Sequence, residues 1–250
     1  MVPDLIFDVG LHRGEDTKFY LKKGYRVVAI DANPLLCARV REEMASDITS
    51  GRLFVIHAGL GRELGVKPFY RCINKDDWSS FDPDLGMRDK EFEIIDVPTM
   101  PLTQLLEIFG VPYYLKIDIE GADEICVEAI ESMKDLPKYV SVEATVPNFT
   151  ERMCRLGFTS FKLVSQYLHN IMELPFPPLE GGYVQQKFTG HHSGPFGDET
   201  YGRWMTPAEF QNEVDVVNSG ARMNSVHARE YGMTEEMFKL SWFDWHCRRT

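Results

Sequence analysis

The sequence has no apolar run near the roughly 18 residues needed to cross a bilayer. Its N-terminus lacks the basic stretch and apolar core of a secretory leader. These absences lead us to expect a soluble, cytoplasmic protein that does not act at a membrane. Basic residues are also scarce, with 27 Lys and Arg against 38 Asp and Glu, for a formal net charge of -11. That balance argues against nucleic-acid binding, which needs clustered cations to replace the counterions of a phosphate backbone. The five cysteines, Cys37, Cys72, Cys126, Cys154 and Cys247, are scattered and include no C-x-x-C pair. Reduced thiols are therefore expected, and neither a zinc ribbon nor a disulfide framework is. Missing too is the G-x-G-x-x-G turn of a dinucleotide fold.

An alternation is present instead. LIFDV, RVVAID, RLFVIHAG, YYLKIDIEG and KYVSVEAT are short apolar strands. Between them run helical stretches such as NPLLCARVREEMASD, with Leu36, Val40 and Met44 on one face, and GADEICVEAIESMKD. Apolar strands alternating with amphipathic helices predict an α/β fold, a doubly wound and mostly parallel sheet whose ligand lies beyond the carboxyl ends of the strands. Residues 67–93 break the rhythm with Asn, Asp, Ser and Pro, yet Trp78, Phe81 and Phe92 favour an ordered loop or hairpin near the site. The expected division is a cofactor-binding core over 1–165 and a C-terminal extension over 166–250 of the same domain. In that extension an irregular stretch precedes helices around Thr206–Ser219 and Thr234–Trp245. Tyr167–Trp204, rich in Gly, Pro and aromatics, reads either as a lid or as a static wrap along the sheet.

The stretch LIFDVGLHRGEDTKFYLKKGYRVVAIDANP carries the cofactor argument. Gly10 and Gly14 bracket a strand-to-helix turn, where bare backbone and open helix N–H groups favour an anionic group. Asp31 ends the next strand, 21 residues after Gly10, where an acid accepts both hydroxyls of a ribose. Asp8 at the first strand's end would repel a pyrophosphate and suits a cationic amine or sulfonium. S-adenosylmethionine meets that requirement better than a nicotinamide dinucleotide.

FDVGLHRGEDT, VVAIDANP, SSF and YLKIDIEGADE together resemble the FkbM family of S-adenosylmethionine-dependent methyltransferases, from Leu5 to Val164. The resemblance implies a class I, Rossmann-like methyltransferase fold. It also implies a methionine-binding turn at Asp8, Gly10 and Gly14 with Thr17 behind it, a ribose site at Asp31 and Ala32, and an adenine edge at Ala58 and Gly59. His12-Arg13 departs from the small or amide residues usual in the family's first loop. The acceptor implied is a hydroxyl on a small molecule or glycan. The alternatives are a nucleotide-cofactor oxidoreductase and a non-catalytic cofactor-binding scaffold.

Asp118, at the end of the fourth strand, points by topology toward the methyl group. It could hold the methionine amine, orient the acceptor or act as the base. Glu143, ending the fifth strand, faces the same cleft by topology. With Asp118 it could bind a divalent cation through carboxylate oxygen, but there is no obvious third ligand and no metal is expected. His191 and His192, in TGHHSGPFG, are further candidates for a base that titrates near neutral pH. His57 reads as a packed, hydrogen-bonded histidine.

Overall fold

The computed structural model describes residues 1–88, 90–143 and 146–249. Strand β1 (Val2–Val9) is buried from Leu5 onward on both faces, as its continuous apolar run requires. Helix α1 (Glu15–Lys22) follows, with Glu15 and Asp16 at its positive end and Lys22 at its negative end. Next come β2 (Arg26–Asp31) and α2 (Pro34–Glu43). The Asn33 side chain accepts the Leu35 N–H, and Pro34 takes the first turn, where no backbone donor is needed. Leu36, Val40 and Met44 are all buried. The short α3 (Ala45–Thr49) leads into β3 (Leu53–His57).

The chain then leaves the main sheet. It forms β4 (Gly59–Leu60), β5 (Gly65–Cys72), the short α4 (Pro83–Gly86) and β6 (Phe92–Met100). Strands β5 and β6 pair as an antiparallel hairpin, and β4 runs parallel to β6 on its other side. The interruption expected at 67–93 is thus the second half of one strand and the crossing between two. Helix α5 (Leu102–Phe109) returns the chain to β7 (Pro112–Ile117), which α6 (Asp123–Glu131) follows. Strands β3, β2, β1 and β7 lie side by side in that order, all parallel. The carboxyl ends of β1, β2 and β7 therefore adjoin, and the site is built there.

Met1–Lys138 forms one compact unit and Tyr139–Thr250 the other. The second contains β8 (Tyr139–Glu143), α7 (Phe149–Arg155), β9 (Ser160–Ser165), α8 (Pro207–Val217), α9 (Val226–Tyr231), α10 (Glu235–Lys239) and β10 (Phe243–Arg248). One expectation is corrected here. The helix read over Thr234–Trp245 stops at Lys239, and Phe243–Arg248 is a strand. That strand lies antiparallel between β8 and β9, bonded to both. Within this second unit the last strand joins β8 to β9.

The irregular segment is fixed at its C-terminal end. Phe188 and Phe196 are core residues, and His192–Gly197 is buried. Glu199 accepts the N–H groups of Leu179 and Glu180 at 3.1 and 3.2 Å. Lys162 on β9 donates to the Thr200 carbonyl and hydroxyl at 2.7 and 2.8 Å. These bonds give 192–200 the character of a wrap, while Ile171, Phe176, Leu179 and Tyr183 are exposed.

Candidate active site

The parallel register sets Asp8 on β1 beside Lys116 on β7, so their side chains emerge on one face. Asp8 is fully buried. The Thr17 hydroxyl donates to one of its oxygens at 2.6 Å, and Lys116 Nζ lies 3.0 Å from the other. Lys116 also donates to the Gly10 carbonyl at 2.8 Å and stands 3.6 Å from Asp16 and 3.8 Å from Asp118. Burial opposes the charge on Lys116, but Asp8, Asp118 and Asp16 together hold its ammonium well above the ordinary lysine range. Burial likewise pushes the Asp8 carboxyl up and Lys116 opposes that rise, which makes Asp8 the counter-ion of Lys116. The amine that Asp8 meets is therefore the protein's own. In the turn it anchors Lys116 and Thr17 beneath the backbone at Gly10.

The glycines allow close packing of the strand-end turns. Gly10 has φ +89°, and a Cβ there would fall 1.8 Å from the Asp118 carbonyl oxygen. The β1–α1 turn thus presses directly on the end of β7. Gly14, with φ +76°, begins α1 without any side-chain cap, and a Cβ on it would strike the Met44 methyl at 2.6 Å. A Cβ on Gly59 would fall 2.2 Å from the Phe81 ring, so Phe81 covers the edge assigned to adenine.

Asp31 accepts the His12 N–H at 2.9 Å through one oxygen and the Asn33 N–H at 2.7 Å through the other. Its own carbonyl accepts the Ala58 N–H at 3.0 Å, which ties Ala58-Gly59 to the same strand end. Ala32 lies beside it, its carbonyl bonded to His57 Nε2 at 3.2 Å. Burial pushes the Asp31 carboxyl up to about 6, against the backbone donors and His12. A carboxylate has about four lone-pair sites and these bonds use two of them, so the half-buried Asp31 keeps acceptor capacity for a vicinal diol.

Asp118 follows β7 directly, its N–H bonded to the Val9 carbonyl at 2.9 Å and its side chain 37% exposed. The strand does not persist to Glu120, which takes a positive φ of 46° and pairs with Arg88 at 2.8 Å. Burial raises the Glu120 carboxyl, with Arg88 opposing and Asp118 adding to the rise. Asp8, Gly10, Gly14, Thr17, Asp31, Ala32, Ala58, Gly59 and Asp118 all belong to the first unit.

Glu143, His191 and His192 belong to the second unit. Glu143 is half-buried opposite Asp244 of β10. His191 is exposed. His192 is pinned in its loop: its Nδ1 lies 3.2 Å from the Thr189 nitrogen and 3.0 Å from its hydroxyl, and Phe188 meets its ring edge-on. Sequence reasoning passed over Asp76 and Arg88, whose contacts with the strand-end turns bridge long separations that no local spacing reveals. Among the described residues, no cluster of three or more His, Cys, Asp or Glu is arranged to hold a metal ion.

A parallel sheet with a glycine-led helix start after β1 and a half-buried acid ending β2 has the Rossmann-like fold of a class I methyltransferase. The methyltransferase FkbM domain matches residues 8–183. The chain belongs to the FkbM methyltransferase family, and S-adenosylmethionine is its cofactor. Among functionally curated proteins no sequence relative is found. Solved structures similar to it include a precorrin-6y C5,15-methyltransferase from Geobacter metallireducens, at 8% identity and TM-score 0.41, covering 99% of this chain and 80% of that one. A methyltransferase from Thiobacillus denitrificans in complex with S-adenosyl-L-homocysteine is similar at 9% identity and TM-score 0.38, covering 100% of this chain and 86% of that one. These scores bear no weight, and family membership rests on the domain match.

Proposed function

We propose that the protein transfers the methyl group of S-adenosylmethionine to a hydroxyl on a small molecule or glycan. The observation that carries this reading is Asp118, an exposed carboxylate at the end of β7, 3.8 Å from a buried cationic Lys116. When bound, the cofactor supplies a methyl group already activated by its sulfonium. Asp31 receives the ribose hydroxyls, the turn from Gly10 to Gly14 backs the amino-acid arm, and Ala58-Gly59 borders adenine. Asp118 orients the acceptor hydroxyl and takes its proton, a general-base contribution of roughly 10²–10⁴-fold. The hydroxyl acceptor is read from the resemblance to the family together with this acid. We also read the protein as cytoplasmic, with no nucleic-acid partner, in keeping with its net charge of -11. Among the described residues no helix is long and apolar enough to cross a membrane.

The test is turnover of methyl-labelled donor against a panel of hydroxylated metabolites and oligosaccharides, with mass spectrometry of the products. A methyl ether on one of them is expected, and Asp118→Asn should lower kcat more than it weakens donor binding. Label found only on nitrogen or carbon would overturn the hydroxyl acceptor.

A further inference from the structure

The crossing between β5 and β6 reaches over the ends of the parallel strands. At one side, Asp76 receives the Arg13 guanidinium on both carboxylate oxygens at 3.0–3.2 Å and lies 3.1 Å from His12 Nε2. At the other, the Ser80 hydroxyl donates to the Glu120 carbonyl at 2.7 Å, and Arg88 donates to the Glu120 carboxylate at 2.8 Å. Between them Trp78 lies under two cations, with Lys75 Nζ at 3.5 Å and the Arg88 guanidinium at 4.9 Å from its ring centre. Residues 75–88 thus bridge the β1–α1 turn and the turn after β7, the two turns that border the donor site.

His12 and Arg13 occupy the first of these turns. The His12 N–H is bonded to Asp31, and the His12 imidazole acts on the charge of that acid. They also stand at the start of α1, where Gly14 offers no side chain to the first N–H groups. Despite burial, Glu15 and Asp76 hold the His12 imidazole up at about 9, and the turn carries two positive charges at neutral pH. An imidazolium and a forked guanidinium side by side form a carboxylate-binding arrangement. The structure already shows a carboxylate seated on both cations, and it is supplied by a side chain 63 residues further along the chain from Arg13. A donor whose ribose rests on Asp31 carries a carboxylate of its own at the end of its amino-acid arm.

We propose that His12 and Arg13 clamp the amino-acid carboxylate of the donor, and that Asp76 is an internal carboxylate that holds this clamp in the free enzyme and yields it when donor binds. This rests on the reading that S-adenosylmethionine binds with its ribose at Asp31. The exchange replaces one carboxylate by another on the same two cations and frees the Asp76 end of the crossing, while Ser80 and Arg88 keep the other end on Glu120. An internal competitor lowers the apparent affinity for donor by the fraction of molecules whose clamp is free.

Calorimetry on the full chain, with two ligands, tests this. S-adenosylhomocysteine has the amino-acid arm, and 5′-methylthioadenosine has the same nucleoside and sulfur without it. Arg13→Ala should weaken S-adenosylhomocysteine at least about tenfold and leave methylthioadenosine within about twofold. Asp76→Ala should tighten S-adenosylhomocysteine by about three- to tenfold, again without effect on methylthioadenosine. Asp76→Asn is read in the same way if the alanine variant does not fold, with circular dichroism confirming the fold of each. An Asp76 variant that binds S-adenosylhomocysteine no better than the unaltered protein, or an Arg13→Ala that weakens both ligands equally, would overturn the clamp and leave the donor reading standing. Failure of the unaltered protein to bind either ligand would overturn the donor reading and the clamp with it.

Discussion

At the scale of single residues, Asp31 and Lys116 show how charge is managed at the strand ends. Burial raises Asp31 to about 6, and on the proposal that Asp31 receives the ribose hydroxyls its ionised form is the one that accepts them. Bound hydroxyls favour that form, so donor affinity is full above this value and falls as pH drops through it. The affinity for S-adenosylhomocysteine should be level between pH 7 and 8 and lose about tenfold per unit below pH 6. Calorimetry across pH 5–8 measures this, and a profile flat throughout would remove Asp31 from the binding step. Lys116 has a different role, as the cation that Asp8, Asp16 and Asp118 share. Lys116→Met strands the fully buried Asp8 without a counter-ion and should cost about 3–5 kcal/mol in denaturant unfolding. Adding Asp8→Asn should recover part of that loss, because the two groups are coupled. Strict additivity of the two substitutions would contradict the pairing.

At the scale of elements, legibility follows how local the stabilising contacts are. Helix α2 was readable because Asn33, Pro34 and the Leu36, Val40, Met44 spacing lie within one short stretch. Strand β10 was not. Its alternation of Phe243, Trp245 and Cys247 with Asp244, His246 and Arg248 has period two, but polar residues fill positions that are buried here. What makes FDWHCR a strand is the pair of edges that β8 and β9 present to it. Removing residues 243–250 should therefore unpair both strands, lower the melting temperature and promote aggregation through the exposed edges. Thermal denaturation and size-exclusion chromatography would show this, whereas a dispensable terminal tail would leave both unchanged. The irregular segment divides in the same physical terms. Amides of 192–200, buried and bonded, should resist hydrogen exchange in the free enzyme, and those around the exposed Phe176 and Tyr183 should exchange quickly.

At the scale of the whole molecule, the sequence by itself determined the fold class and the family. Short apolar strands and amphipathic helices can bury their faces together in few ways, and the turn at Gly10 and the acid at Asp31 sit at fixed places within that alternation. Which strand ends adjoin, those of β1, β2 and β7, came from the assembled sheet. Only the tertiary structure decided what these residues touch. It turned Asp8 toward Lys116, pressed Gly10 against the end of β7, brought Asp76 onto His12 and Arg13, and set β10 between β8 and β9. Each of these joins residues remote in the chain. Their energy comes from burial and charge pairing that exist only once the strands are assembled, so no periodicity within a single stretch can encode them.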